Sequence, residues 1–166
     1  MTQFTSVYHS PMGLIRLASD EIGLVGLWFQ GQKYDGQGLA EEHEEKETDA
    51  IKSAKQWLDI YFSRKEPDFT PPLHMAGTGF QIMVWKELLQ IPYGKTTTYG
   101  QLAAKIAEKC GKKSMSPQAV GGAVGHNHIS IIIPCHRVVG SKGQLTGYAG
   151  GLDRKYGLLK LEGALL

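Results

Sequence analysis

Residues 97–124 read TTYGQLAAKIAEKCGKKSMSPQAVGGAV, and this stretch sets the architecture of the second half of the chain. Thr97 or Thr98 is a helix cap, because a Thr hydroxyl can accept from an amide that the first turn leaves open. Tyr99, Leu102, Ala103 and Ile106 follow at helical spacing, and the run extends to Lys109. Gly111 stops it. Ser114 to Ser116 lead through Pro117 into a second short helix, Gln118 to Val124, and Pro suits a first helical turn. Two short helices joined by a few polar residues predict a helix-turn-helix. The second helix is nearly all Ala, Gly and Val, although Gly costs about 1 kcal/mol at a helical site. Two readings stand: close packing against another element, or a thin helix that a ligand or a narrow DNA groove can approach.

Working outward, Ile131-Ile132-Ile133-Pro134-Cys135-His136-Arg137-Val138-Val139 begins with a continuous β-branched run. That run predicts a buried strand, stopped or bent by Pro134. Residues 140–151 hold five Gly and predict a flexible loop, and Leu152 to Leu161 predict a closing helix. On the other side, Phe80, Val84, Trp85, Leu88 and Leu89 give residues 79–89 helical periodicity. Pro67, Pro71 and Pro72 break the chain before it, and a domain boundary is placed there: residues 1–74 and 75–166. In the first part, Thr5 to Tyr8, Leu14 to Ser19 and Ile22 to Phe29 predict an antiparallel meander with a turn at residues 10–13. Residues 41–49 are an acidic, exposed connector. Thr48 or Asp49 caps a helix over 50–62, whose apolar face is Ile51, Ala54, Trp57, Leu58 and Tyr61. The fold class is therefore α+β.

The chain has 166 residues, 42% of them hydrophobic, and a net charge of +2. It is too apolar for disorder. With 2 Cys it has neither a disulfide framework nor a four-thiolate zinc site. Cys110 and Cys135 are read as reduced thiols of a cytoplasmic protein. No apolar run approaches the ~20 residues that span a bilayer, and no secretory signal opens the chain. The net charge hides two opposed halves. Residues 1–74 carry 7 Lys+Arg and 12 Asp+Glu, and residues 75–166 carry 11 and 4. Such asymmetry points to a basic half that meets a polyanion.

Cys135 is the candidate nucleophile, and Cys110 is read as packing. The thiolate is the reactive form, and a free thiol is mostly protonated at neutral pH. His136 offers a base and Arg137 a positive charge. Adjacent residues of an extended chain point apart, so Cys135 and His136 need a turn or a bridging water to cooperate. A Cys, a His and an acid could equally serve a hydrolase, and His136 could be a satisfied core histidine. His9, His43 and His74 are scattered and are read as surface residues, so no metal site is expected.

Pro134-Cys135-His136-Arg137-Val138 resembles the acceptor-site signature of the O6-alkylguanine-DNA alkyltransferases (methylated-DNA–protein-cysteine methyltransferases). The resemblance extends in order through Thr98–Ala103, Ala119–Ala123, Asn127, Gly147–Leu152 and Leu161–Gly163. It spans residues 79–163. The first half resembles the family's N-terminal domain in size and strand–helix order. The resemblance implies a ribonuclease-H-like first domain in a supporting role and a mostly helical, winged helix-turn-helix-like second domain. It further implies DNA repair by direct reversal: the alkyl group of O6-alkylguanine moves irreversibly onto Cys135. O4-alkylthymine is the alternative lesion of the same chemistry. The target atom lies inside the duplex, so the nucleotide must be flipped out. No cofactor is implied, because guanine is the leaving group. The partner is double-stranded DNA bound through its minor groove, the protein acts as a monomer, and no membrane is involved.

The resemblance also assigns roles. His136 deprotonates Cys135 through a water, and Glu162 orients His136. Asn127 pins the turn that holds the site. Tyr99 donates to the guanine ring and assists its departure. Tyr148 walls the alkyl pocket. The carbonyls of Cys135 and Val138 and the amide of Ala149 read the guanine edge, and Gly150 is counted with them. Gln118, Ala119, Gly122 and Ala123 contact DNA. One position departs from the family, which commonly has Arg where Gln118 stands. Gln lacks the charge and the planar stacking of a guanidinium that fills the place of the flipped base.

Overall fold

A computed structural model describes residues 1–164; Leu165 and Leu166, which the expected second domain includes, lie outside the described residues. The chain forms two compact units. The first is Met1–Ala76 together with His128–Ser130; the second is Gly77–Asn127 and the chain from Ile131 onward. The first unit thus runs two residues past the boundary expected after residue 74 and takes back His128–Ser130. Those residues bond to Leu27: its amide donates to His128 O at 2.8 Å, and the Ser130 amide donates to Leu27 O at 3.0 Å.

In the first unit β1 (Gln3–Ser10), β2 (Gly13–Ser19) and β3 (Leu24–Phe29) form an antiparallel meander. The turn at Pro11-Met12 falls within the expected residues. β4 (His43–Glu45) lies inside the stretch expected to be a connector. It pairs parallel to β1 at the sheet edge, giving the order β3-β2-β1-β4. Its side chains are all exposed, so only backbone pairing makes it a strand. α1 (Asp49–Phe62) starts at Thr48, whose hydroxyl accepts from the Ile51 amide. Its apolar face, with Ile51, Ala54, Leu58 and Tyr61 fully buried, packs on the sheet beside Ile15, Leu17, Leu27 and Phe29. His74, expected at the surface, is half-buried, and its Nδ1 lies 2.5 Å from Asp20 Oδ2.

In the second unit α2 (Gly79–Leu88) opens with a capping box between Thr78 and Gln81. β5 (Thr97–Thr98) leads into α3 (Tyr99–Lys109), and Thr98 forms a second capping box with Gln101. α4 (Pro117–Gly125) begins at Ser116, with Pro117 in its first turn. The three helices pack on one another around Val84, Trp85, Leu88, Leu102, Ile106, Val120 and Val124. α3 and α4 are the expected helix-turn-helix. β6 (Val138–Val139) pairs parallel with β5, and α5 (Leu152–Leu161) closes the chain.

One expectation is corrected. Ile131–Ile133 is not a strand but a buried turn, with Ile131 at φ 69. The β-branched run reports burial, which a turn wrapped in apolar neighbours satisfies as well as a strand does. The loop over 140–151 contains a single 3-10 turn, Ser141–Gly143.

Leu58→Ala removes a fully buried side chain from the α1 face. It should destabilise the protein by about 2–5 kcal/mol, read as a shift of the denaturant midpoint at constant slope.

Candidate active site

Cys135 opens a 3-10 turn, Cys135–Arg137. Pro134 sets it up: at φ −81 and ψ 64 it forms an inverse γ-turn, with the Cys135 amide 2.8 Å from Ile133 O. The Arg137 amide then donates to Pro134 O at 3.0 Å. The strand-to-turn junction expected at Cys135 is thus a turn on both sides. Asn127, just past the end of α4, donates through Nδ2 to Ile133 O at 2.8 Å. It therefore ties the end of α4 to the turn that carries the thiol.

Burial pushes the Cys135 thiol up from its ordinary value. The Asn127 side chain, the Lys155 ammonium and the amides of Cys135 and His136 act in the other direction. The thiol is therefore protonated at neutral pH and needs a base.

His136 is fully buried, and its Nε2 lies 2.6 Å from Glu162 Oε2. Burial lowers the imidazole, against the pull of Glu162. Glu162 itself is raised by burial, but His136 and Arg137 outweigh that and bring it to about 2. An anionic Glu162 accepts, so His136 Nε2 carries the proton and Nδ1 keeps its lone pair. A neutral imidazole with its tautomer set by a carboxylate is a competent base.

The positive charge expected of Arg137 for the thiol goes elsewhere. Arg137 Nε donates to Glu162 Oε1 at 2.9 Å and Nη2 to Oε2 at 3.2 Å, while Nη1 caps Ile91 O at 2.7 Å. The Gly94 amide adds a further bond to Glu162 Oε1 at 3.1 Å. The charge that does favour the thiolate comes from Lys155, which sequence reasoning missed. Lys155 is fully buried; Nζ donates to Val138 O at 2.5 Å, Thr146 O at 2.9 Å and Gly147 O at 3.1 Å. Burial lowers it to about 8, so it stays mostly charged at neutral pH. A signal existed: Lys155, Leu158, Leu159 and Glu162 share one helical face, and two charges on a leucine face are out of place.

The remaining residues fall around this core. Tyr99 OH donates to Thr146 O at 3.2 Å, and burial raises its phenol. Its ring lies against Gly121 of α4 and its hydroxyl against Gly147, which adopts φ +59. Tyr148 stands edge-on to His136, with centroids 6.5 Å apart. Val138 is buried with its carbonyl on Lys155, Ala149 is half-buried, and Gly150 O accepts from Arg154 at 3.1 Å. On α4, Gln118, Ala119 and Gly122 are exposed. Ala123 is not: it is 5% exposed, and its carbonyl accepts from Trp85 Nε1 at 2.8 Å. Ala123 belongs to the packed side of α4, whereas Gln118, Ala119 and Gly122 lie on its exposed side. Cys110 is half-buried with its sulfur 3.4 Å from Met83 Sδ. Among the described residues no three His, Cys, Asp or Glu converge on a metal position, and no helix is long and apolar enough to cross a membrane.

Glu162→Ala strands two buried cationic or polar partners and should cost about 3–5 kcal/mol in chemical unfolding. Because Glu162 sits lower in the folded state than its ordinary 4.5, its contribution is complete above that value. Stability should fall as pH drops from there toward 2, and Glu162→Gln should flatten that fall. Lys155→Met should move the Cys135 titration further up, read by ultraviolet thiolate absorbance.

Comparison with known proteins gives this site its context. Residues 79–164 match the family model described as 6-O-methylguanine DNA methyltransferase, DNA binding domain. Residues 4–75 match 6-O-methylguanine DNA methyltransferase, ribonuclease-like domain. A methylated-DNA–protein-cysteine methyltransferase of Methanosarcina barkeri is 45% identical over 159 residues, covering 96% of each chain. The Mycobacterium tuberculosis protein of that name is 42% identical over 153 residues, 92% of this chain and 88% of its own. The crystal structure of Mycobacterium tuberculosis OGT in complex with DNA superposes with a TM-score of 0.81 at 39% identity, covering 99% of this chain and 94% of that one. With both halves matched in order, the chain belongs to the 6-O-methylguanine DNA methyltransferase family.

Proposed function

We propose that this chain repairs DNA by direct reversal, transferring the alkyl group of O6-alkylguanine to Cys135 in a single turnover. The observation that carries this is the buried Cys135 turn backed by a neutral His136 on an anionic Glu162. The chain's relatives, named for this transfer, support the same reading.

The reaction follows from these groups. His136 takes the thiol proton through a water, and the thiolate attacks the alkyl carbon in line. The S–C bond forms as the C–O6 bond breaks, and the electron pair leaves on the guanine. Tyr99 supplies a proton to the guanine ring, exchanging its hydrogen bond to Thr146 for one to the base, and the phenolate is reprotonated by the proton that His136 took from the thiol, returned through water. A thioether does not hydrolyse, so each chain reacts once and no cofactor takes part. Asn127 positions the turn. Tyr148 lines the alkyl side, and the backbone at Cys135, Val138, Ala149 and Gly150 holds the base.

A buried thiol cannot reach a base stacked in a duplex, so the nucleotide is flipped into the site. The exposed face of α4, Gln118, Ala119 and Gly122, lies in the minor groove, where small side chains permit close approach. Each chain carries every reacting group, which fits a monomer. The free thiols Cys110 and Cys135 fit the reducing cytoplasm. The basic half, residues 75–166, meets DNA, and residues 1–74 support it.

Incubation with a duplex containing O6-methylguanine should add one methylene of mass per chain and then stop. Cys135→Ala should add none while still binding the lesion. Turnover beyond one equivalent, or lesion binding without mass gain in the unaltered chain, contradicts the reading. Gln118→Arg restores a charged planar group and should tighten DNA binding about tenfold, a typical gain for one added phosphate or base contact; equal or weaker binding by anisotropy refutes that role.

A further inference from the structure

Acidic residues are absent from a long central stretch of this chain. Between Lys109 and Leu152 there is no Asp or Glu, while Lys109, Lys112, Lys113, Arg137 and Lys142 all fall there. Two of these cations are committed: Lys109 pairs with Glu87, and Arg137 is bonded to Glu162. Lys112 and Lys113 are exposed, and among the described residues neither has a carboxylate partner. An ammonium group that no carboxylate pairs keeps its charge available to an incoming anion.

These two lysines are also held in place. α3 ends in a Schellman motif: Gly111, at φ +67, donates to Glu108 O at 3.1 Å, and the Lys112 amide donates to Ala107 O at 2.9 Å. The backbone of Lys112 is thereby fixed to the last turn of α3. On the other side, Ser116 Oγ accepts from the Ala119 amide at 3.2 Å and fixes the start of α4. Lys112 and Lys113 therefore stand on a short turn pinned at both ends, directly ahead of α4. The exposed face of α4 itself, Gln118, Ala119 and Gly122, carries no charge. A neutral face of small residues allows close approach to a groove but contributes little electrostatic attraction. In nucleic-acid binding, that attraction comes from cations on phosphates.

We propose that Lys112 and Lys113 form a backbone-phosphate contact for double-stranded DNA, supplying from the turn the charge that Gln118 does not supply from the helix. The contact is indifferent to sequence and to the lesion. It sets affinity for duplex in general and leaves the chemistry at Cys135 untouched. This rests on the reading of α4 as the groove helix.

The test is the salt dependence of binding to an undamaged duplex, followed by anisotropy between about 50 and 200 mM NaCl. The double variant Lys112→Gln/Lys113→Gln should reduce the slope of log K against log salt by about 2 and weaken binding roughly tenfold or more near 0.1 M salt. Lys65→Gln, an exposed lysine of the first unit, should leave the slope unchanged. Lys112→Arg/Lys113→Arg should keep the unaltered slope, because the charge remains. Alkyl transfer from a free O6-alkylguanine base should run at the unaltered rate in every variant. An unchanged slope in the Gln pair overturns the proposal. So does a slope lost in the Arg pair, or a free-base rate lost in the Gln pair, since the turn would then be structural. Failure of the underlying reading looks different: the unaltered chain would take no alkyl group from either DNA or free base.

Discussion

The Glu162 carboxylate is buried and anionic, and it receives hydrogen bonds from His136, from two nitrogens of Arg137 and from the Gly94 amide. A lone buried carboxylate would be expelled or protonated. Here four donors hold it charged, and in return it sets the tautomer of His136 and anchors Arg137, whose third nitrogen caps Ile91. One side chain at the end of α5 thus joins the loop after α2, the acceptor turn and the last helix. Removing it would disorganise the base and the packing together, so structural and chemical roles coincide at this residue.

Burial creates a second tension. The burial that encloses Cys135 and His136 raises the thiol and lowers the imidazole, and both effects oppose forming a thiolate–imidazolium pair. Lys155 and Asn127 offset part of this. Lys155 does so while bonding three carbonyls on either side of the 140–147 loop. The Cys135–His136 pair is therefore held in its neutral form. A thiol kept protonated is guarded from other electrophiles and oxidants, which attack the thiolate.

Much of this was legible in the residues because helix ends announce themselves. Thr48, Thr98, Ser116 and Pro117 mark starts that the structure places within one residue of expectation, and Gly111 ends α3 at a positive φ. The motif Pro134–Val138 falls on the turn that brings His136 and Arg137 to Glu162. What stayed hidden has physical causes. Ile131–Ile133 looks like a strand because apolar β-branched residues signal burial before they signal conformation, and the turn depends on a left-handed Ile131. β4 has no buried side chain, so nothing in its composition reveals its pairing with β1. The partner of Arg137 lies 25 residues away in sequence, and Trp85 donates to the carbonyl of Ala123, 38 residues on. Each of these is a tertiary contact that local pattern does not encode.

The central claim is that one sulfur, Cys135 and not the half-buried Cys110, is the acceptor. It is tested most directly by reacting the protein with DNA whose O6-methyl group carries an isotope label, digesting the product and locating the label by peptide mass. The account predicts label on the peptide containing Cys135 alone, as an acid-stable thioether, at no more than one per chain. Label on Cys110, on a carboxylate or on no peptide at all would contradict it.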